Sequence, residues 1–210
     1  MLQTNSVSES LLDTLLELNK SVLFKNYFLV GGTALSLQIG HRISEDIDLF
    51  TKQDINKDEI LAFMNKKYAK KFQIINVQNS ILQIMTNDIK IDFVKYDFPL
   101  IEDVKNDGGI NYLGKKDIAA MKLLATANRG NQAKDFVDVF FLLKEMSLAE
   151  MFDFYKQKYN QTDISAIKKS LIYFDDVPKS SWNAVKYINE KPSMAMIKRT
   201  ILNSLKDYNR

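Results

Sequence analysis

An α+β fold of two lobes is the class this sequence predicts, and three observations predict it. Apolar residues alternate between strand and helix periods over residues 1–112, the pattern turns almost wholly helical from residue 113, and Pro99 with Gly108-Gly109 punctuates the change. The expected architecture is a lobe built on a small mixed β-sheet with flanking helices over 1–112, then a helical lobe over 113–210. A chain of 210 residues is long enough to bury a core for each.

Residues 8–25, SESLLDTLLELNKSVLFK, place Leu11, Leu12, Leu15, Leu16 and Val22 at helical spacing behind capping serines. Residues 27–30 read as a short buried strand ended by Gly31 and Gly32, and a helical pattern resumes after Thr33. Residues 43–51 are extended again. Because side chains alternate along a strand, Asp46 and Asp48 share one face while Ile47 and Leu49 take the other. Residues 57–71 form a Lys-studded helix whose end, KKYAKK, reads as a solvated face. Strands over 80–85 and 89–95 flank Thr86-Asn87-Asp88, a tight-turn sequence. In the second of them Ile89, Ile91 and Phe93 face one way, Lys90 and Asp92 the other. Residues 96–113 read as a linker. Beyond it helices are expected over 116–128 and 132–145, from a Ser147/Glu150 capping box, over 163–174, and from Pro192 to the end.

Composition narrows the chemistry. With no Cys and a single His, disulfides, thiolate zinc sites, Cys nucleophiles and His triads are excluded unless His41 acts alone, and His41 itself reads as a turn residue. Reactivity falls to carboxylates, Lys, Arg, hydroxyls and a borrowed metal ion. No stretch reaches the roughly 20 apolar residues of a membrane span, and no basic stretch followed by an apolar run opens the chain, so a cytoplasmic protein without membrane contact is expected. Residues 1–112 hold 12 Lys and Arg against 15 Asp and Glu, whereas residues 113–210 hold 17 against 11. A basic back half with Tyr155, Tyr159, Tyr173 and Trp182 spread among lysines suits a polyanion such as RNA, although lysine-rich helices are also simply solvated.

Residues 28–50, FLVGGTALSLQIGHRISEDIDLF, concentrate the candidate chemistry. A strand, Gly-Gly-Thr and a helix allow phosphate oxygens to approach backbone N–H groups without side-chain obstruction, and the helix dipole favours the negative charge. Asp46 and Asp48 offer hard oxygens suited to Mg²⁺. If Asp92 lies on a neighbouring strand, three carboxylates converge, a crowding that calls for cations. Taken singly, a double glycine is also a plain turn and Asp-x-Asp a solvated face.

The joint spacing is more specific. Gly31-Gly32-Thr33, twelve residues, then Asp46-Ile47-Asp48 resembles the signature of the nucleotidyltransferase superfamily that includes DNA polymerase beta, poly(A) polymerases and aminoglycoside nucleotidyltransferases. Four blocks in order, VGGTAL, HRISEDIDLF, IDF and AAMKLLATANRGNQAKDFVDVFFLL, resemble the AbiEii/AbiGii family of bacterial nucleotidyltransferase toxins over residues 28–145. Residues 146–210 match no block. The resemblance implies a nucleotidyltransferase lobe joined to a helical lobe, an NTP substrate, two Mg²⁺ ions, an acceptor at a tRNA 3′ end, and a toxin with a cognate antitoxin encoded alongside.

Carried over by position, Gly31, Gly32 and Thr33 would hold the triphosphate and Ser44 would add a hydroxyl. Asp46 and Asp48 would bind metal, and Asp92 would complete a metal site and accept the proton of the attacking hydroxyl. Lys122, Lys134, Asp135 and Asp138 match the later blocks, with Lys122 and Asp138 the catalytic pair and Arg129 nearby on a loop. Phe136, Val139, Phe140 and Leu143 already define the buried stripe, so Asp135 and Asp138 are expected at its edge, where they add little packing; Lys134 and Asp138 could equally form a surface pair. Arg42 reaches phosphate or caps a carbonyl, and the sequence does not choose. A monomer is expected. The rival readings are transfer to a small molecule of antibiotic type or to a protein, and a non-catalytic nucleotide-binding module; retention of Asp46, Asp48 and Asp92 argues against the last.

Overall fold

The computed structural model describes residues 1–69 and 71–210; Lys70, one of the lysines of the KKYAKK run, and the side chain of Arg129 lie outside the described residues. Contacts divide the chain into two units. The first comprises Met1–Ile39, Ser44–Asp97 and Val104–Leu113, and the second Gly40–Ile43, Phe98–Asp103 and Gly114–Arg210. Two short segments from the front of the chain, 40–43 and 98–103, therefore group with the helices.

The first unit is built on a mixed sheet of seven strands: β1 (Tyr27–Leu29), β2 (Asp46–Thr51), β3 (Phe72–Gln78), β4 (Ile81–Thr86), β5 (Ile89–Lys95), β6 (Lys105–Asp107) and β7 (Ile110–Tyr112), in the order β3-β4-β5-β2-β1-β7-β6. β2 runs parallel to β5 and β1 parallel to β7; the other neighbours are antiparallel. Alternation decides which face is core. Ile47 and Leu49 of β2, Leu82 and Ile84 of β4, and Ile91 and Phe93 of β5 are buried, so Asp46, Asp48 and Asp92 emerge together on the opposite side. The β4–β5 hairpin turns at Asn87 and Asp88, both at positive φ as its sequence predicts. β3, β6 and β7 are not anticipated by the sequence. The stretch expected as linker carries the β6–β7 hairpin, whose turn is closed by Gly108 and Gly109 at φ +60° and +82°.

Helices α1 (Glu9–Lys20), α2 (Gly31–Ile39) and α3 (Lys57–Tyr68) complete this unit. Ser8 caps α1 by accepting from Leu11 N–H, and Leu11, Leu15 and Leu18 are buried. Val22, expected on that apolar face, is instead exposed, because α1 stops at Lys20 and the 3₁₀ turn Val22–Phe24 rotates the chain. Phe24 takes the buried position, stacked on Phe93 at 5.3 Å and edge-on to Tyr27 and Phe63.

The second unit holds α4 (Lys115–Arg129), α5 (Ala133–Leu142), α6 (Leu148–Tyr159), α7 (Ser165–Ile172), α8 (Lys179–Asn183) and α9 (Met194–Tyr208). α4 packs against α5, α6 and α7, and α9 against α5, α6 and α7. The Ser147/Glu150 capping box forms, α8 is unanticipated, and Arg129 is the last residue of α4 rather than part of a loop. Asp117 and Lys158 make a fully buried 2.6 Å ion pair. Asp117 also accepts from the N–H groups of Ile101 and Glu102, and Lys158 donates to the Pro99 carbonyl, which fastens the 98–103 segment to α4 and α6. Of the aromatics expected among lysines, Tyr155 and Trp182 are buried and Tyr173 is half exposed. Among the described residues no helix is long and apolar enough to cross a membrane.

The exchange of roles between Val22 and Phe24 is measurable. Phe24→Ala is expected to lose about 3–5 kcal/mol in urea unfolding, from lost transfer energy and the cavity left behind, whereas Val22→Ala stays within about 0.5 kcal/mol.

Candidate active site

Gly31 stands where β1 ends and α2 begins, at φ +69°, and a Cβ there would collide with Oδ2 of Asp48. Only glycine satisfies both conditions. The corner is held from β2: Val30 N–H donates to the Asp48 carbonyl at 2.9 Å, and the Thr33 hydroxyl donates toward the Asp46 carbonyl and shares a 2.8 Å hydrogen bond with Ser44 Oγ. Thr33 and Ser44 are both buried. Their hydroxyls tie the first turn of α2 to the start of β2, at the positions where the family pattern suggests phosphate contact.

Asp48 and Asp92 are register partners on the parallel strands β2 and β5, and Asp46 is opposite Lys90. Asp92 Oδ2 accepts from Lys90 Nζ at 2.6 Å and from Gln83 Nε2 at 2.8 Å, and Gln83 in turn accepts from Asn76 at 3.1 Å. A polar row thus runs from β3 to β2 along the face opposite the core. Asp92 Oδ1 is buried and has no hydrogen-bond partner. Among the described residues no three acidic or imidazole groups are gathered closely enough to hold an ion, so the expected convergence is a shared face rather than a closed cage. The donors nevertheless suit a hard divalent cation: carboxylate oxygens from adjacent strands, one of them buried and unsatisfied. The sequence reading missed Gln83 and Asn76; the signal was there in Gln83, an amide at an alternate position of an otherwise apolar strand.

In the second unit Asp138 lies at the centre of a buried charge network. Its Oδ1 accepts from Arg42 Nε and His41 Nε2, each at 2.7 Å, and its Oδ2 from Arg42 Nη2 at 2.9 Å and Lys122 Nζ at 2.6 Å. Lys122 also donates to Asp135 at 2.8 Å, and Arg42 Nη1 caps the Ile43 carbonyl. Arg42 and Lys122 thus set positive charge against Asp138 and Asp135. Asp135 and Asp138 are fully buried, not at a stripe edge, and the surface-pair alternative does not describe Asp138. α5 carries both acids inward because almost its whole circumference is enclosed; the sequence showed the apolar stripe but not this second contact. Lys134, half-buried, sits in the first turn of the same helix. Burial alone would raise the Asp138 carboxyl, but Arg42 and Lys122 outweigh it and hold it well below the usual carboxylate range. Burial likewise opposes charge on Lys122, yet Asp138 and Asp135 raise it. For His41 burial wins over the attraction of Asp138 and lowers its pKa, so His41 is neutral at pH 7.

The strand-glycine-helix corner facing a carboxylate strand, in a mixed sheet paired with a helical unit, belongs to a nucleotidyltransferase. The chain is a member of the AbiEii family: the family model described as nucleotidyl transferase AbiEii toxin, type IV TA system, matches residues 13–186. A relative, uncharacterized protein aq_aa25 of Aquifex aeolicus (strain VF5), is 37% identical over 155 residues, covering 72% of this chain and 75% of that protein. JHP933 from Helicobacter pylori shares the fold with a TM-score of 0.60 at 20% identity over 97% of this chain and 95% of its own. The antibiotic-resistance factor ANT(2'')-Ia does so with a TM-score of 0.53 at 11% identity, over 70% and 91%.

Removing Asp138 takes from the buried Arg42 and Lys122 the carboxylate that they share. Asp138→Ala is therefore expected to cost about 3–5 kcal/mol of stability, read by urea unfolding. The pH dependence carries its own sign. His41 has a lower pKa folded than unfolded, so the unfolded chain binds more protons and stability falls as pH drops below about 6.5. His41→Asn should flatten that limb of the stability–pH curve.

Proposed function

We propose that this nucleotidyltransferase moves an NMP from an NTP to an acceptor hydroxyl with Mg²⁺ at Asp46, Asp48 and Asp92, that the acceptor is the 3′ end of a tRNA, and that the chain is the toxin of a bacterial pair. The observation that carries the catalytic part is the contact of Gly31 with Asp48, beside Asp48's register partner Asp92. It brings the start of α2, which carries no side chain at residue 31, against paired carboxylates, the two things that a triphosphate and its counter-ions need.

On this reading the N–H groups of Gly31, Gly32 and Thr33 receive phosphate oxygens. The acceptor oxygen bonds to the α-phosphorus in line, the bond to pyrophosphate breaks, and the hydroxyl proton passes to Asp92 Oδ1, the oxygen that Lys90 and Gln83 leave unengaged. Two Mg²⁺ ions, when bound, supply positive charge to the attacking and leaving oxygens. Thr33 and Ser44 act by holding the corner. Lys122, Asp135, Asp138 and Arg42, enclosed in one network, act through the packing of α4 and α5, while Lys134 and Arg129 remain candidates for nucleotide or RNA contact.

The acceptor assignment rests on charge. The 17 to 11 excess of basic residues over 113–210 suits a polyanion, and Tyr173, half exposed, can stack on an unpaired base. The AbiEii family is a toxin-antitoxin family, which supports a cognate antitoxin as partner.

Incubation with each labelled NTP, Mg²⁺ and total cellular RNA tests the whole reading. Label is expected in tRNA, and acceptor affinity is expected to fall with salt at a slope of roughly −0.7 per phosphate contacted on a single strand. Asp48→Asn should reduce transfer by about 10²-fold or more without loss of melting temperature. Label in a small molecule, with weak salt dependence, would replace RNA by a small acceptor.

A further inference from the structure

Asp92 is held in an unusual way for a metal ligand. One oxygen is buried and unpartnered while the other accepts from both a lysine and a glutamine. We infer that Lys90 is a resident counter-cation of the carboxylate face, neutralising Asp92 in the metal-free protein and competing with a divalent ion for it. This rests on the carboxylate-site reading given above.

The position of Lys90 supports the role. It lies two residues before Asp92 on β5, so both emerge on one face, and it is the register partner of Asp46, in the row next to the one that carries Asp48 and Asp92. Its ammonium is 2.6 Å from Asp92 Oδ2, with 34% of the Lys90 side chain and 14% of the Asp92 side chain exposed. That is a charge-assisted hydrogen bond on a mostly buried carboxylate, not a pair waving in solvent. Three aspartates brought onto adjacent strand positions repel one another, and one fixed positive charge relieves that repulsion before any ion arrives. Gln83, itself bonded to Asn76, keeps the carboxyl plane fixed on the same oxygen. The cation is also of the right kind to yield. A lysine stem is flexible and its ammonium a point charge, so it can swing off Oδ2 when a divalent ion enters; a guanidinium would grip both oxygens.

Mn²⁺ binding to the full chain without nucleotide, by the paramagnetic resonance of free Mn²⁺ or by calorimetry, tests this. Lys90→Met is expected to tighten Mn²⁺ on the order of 10-fold, because a like charge no longer opposes the ion. In chelator the same variant should melt below wild type, and its rise in melting temperature on adding Mn²⁺ should be the larger. Lys90→Arg should bind Mn²⁺ more weakly than wild type, an arm that stands if Lys90→Met does not fold. Unchanged affinity in both variants, or weaker binding in Lys90→Met, would overturn the role of Lys90 while the site itself stands, provided Asp48→Asn abolishes Mn²⁺ binding. Absence of Mn²⁺ binding in wild type and in Lys90→Met at millimolar concentration would overturn the metal-site reading and this inference with it.

Discussion

The first unit is organised around a carboxylate oxygen that occupies the space of a missing side chain. Asp48 Oδ2 lies too close to the Cβ position of residue 31 for any side chain to stand there, and Gly31 at φ +69° also adopts a conformation that favours glycine. From that contact follow the direction in which α2 leaves the sheet, the hydrogen bond from Val30 to the Asp48 carbonyl, and the tie from Thr33 to Asp46 and Ser44. The antiparallel pairing of β1 with β2 and the parallel pairing of β2 with β5 then place Asp92 alongside. The start of α2 and the carboxylate strand can approach this closely because residue 31 carries a hydrogen atom in place of a side chain.

The second unit relies on a different device used twice. Two short segments, 40–43 and 98–103, are each secured to the helices by a buried aspartate: Asp138 takes the side chains of Arg42 and His41, and Asp117 takes the backbone of Ile101 and Glu102 while pairing with Lys158. Buried ion pairs are poor sources of net stability, since desolvation offsets the attraction, but they penalise every arrangement in which a partner is missing. The segments are only four and six residues long, and the buried aspartates fix the path of each through directional hydrogen bonds.

Much of the architecture was legible because its signals are local. Alternation in 46–51 and 89–95, the Asn87-Asp88 turn, and the Ser147/Glu150 capping box all depend on residues close in sequence, and the Gly31-to-Asp48 spacing exposed the corner. β3 escaped because its register jumps between Ile74 and Asn76 and its apolar residues are half exposed, which erases the period-2 pattern. β6 and β7 are three residues each, too short to show any period. The site's supporting residues escaped for a related reason. Gln83 matters through Asp92, and Arg42 through Asp138 ninety-six residues away, and such pairings leave no mark on either neighbourhood. Asp138 read as a helix edge because one apolar stripe shows only one side of a helix that is enclosed on nearly all.

The interleaving of segments bears on how this family can diverge. Were the helices acquired as a cassette behind residue 113, Asp138 would arrive with Lys122 but without Arg42 and His41, and Asp117 with Lys158 but without the N–H groups of Ile101 and Glu102. Recombination at one junction would therefore leave two buried acids with part of their hydrogen bonding missing. The His41-Arg42 pair lies in sequence between the glycine corner and the aspartate strand, yet its acceptor is on α5, so a change in one must suit the other.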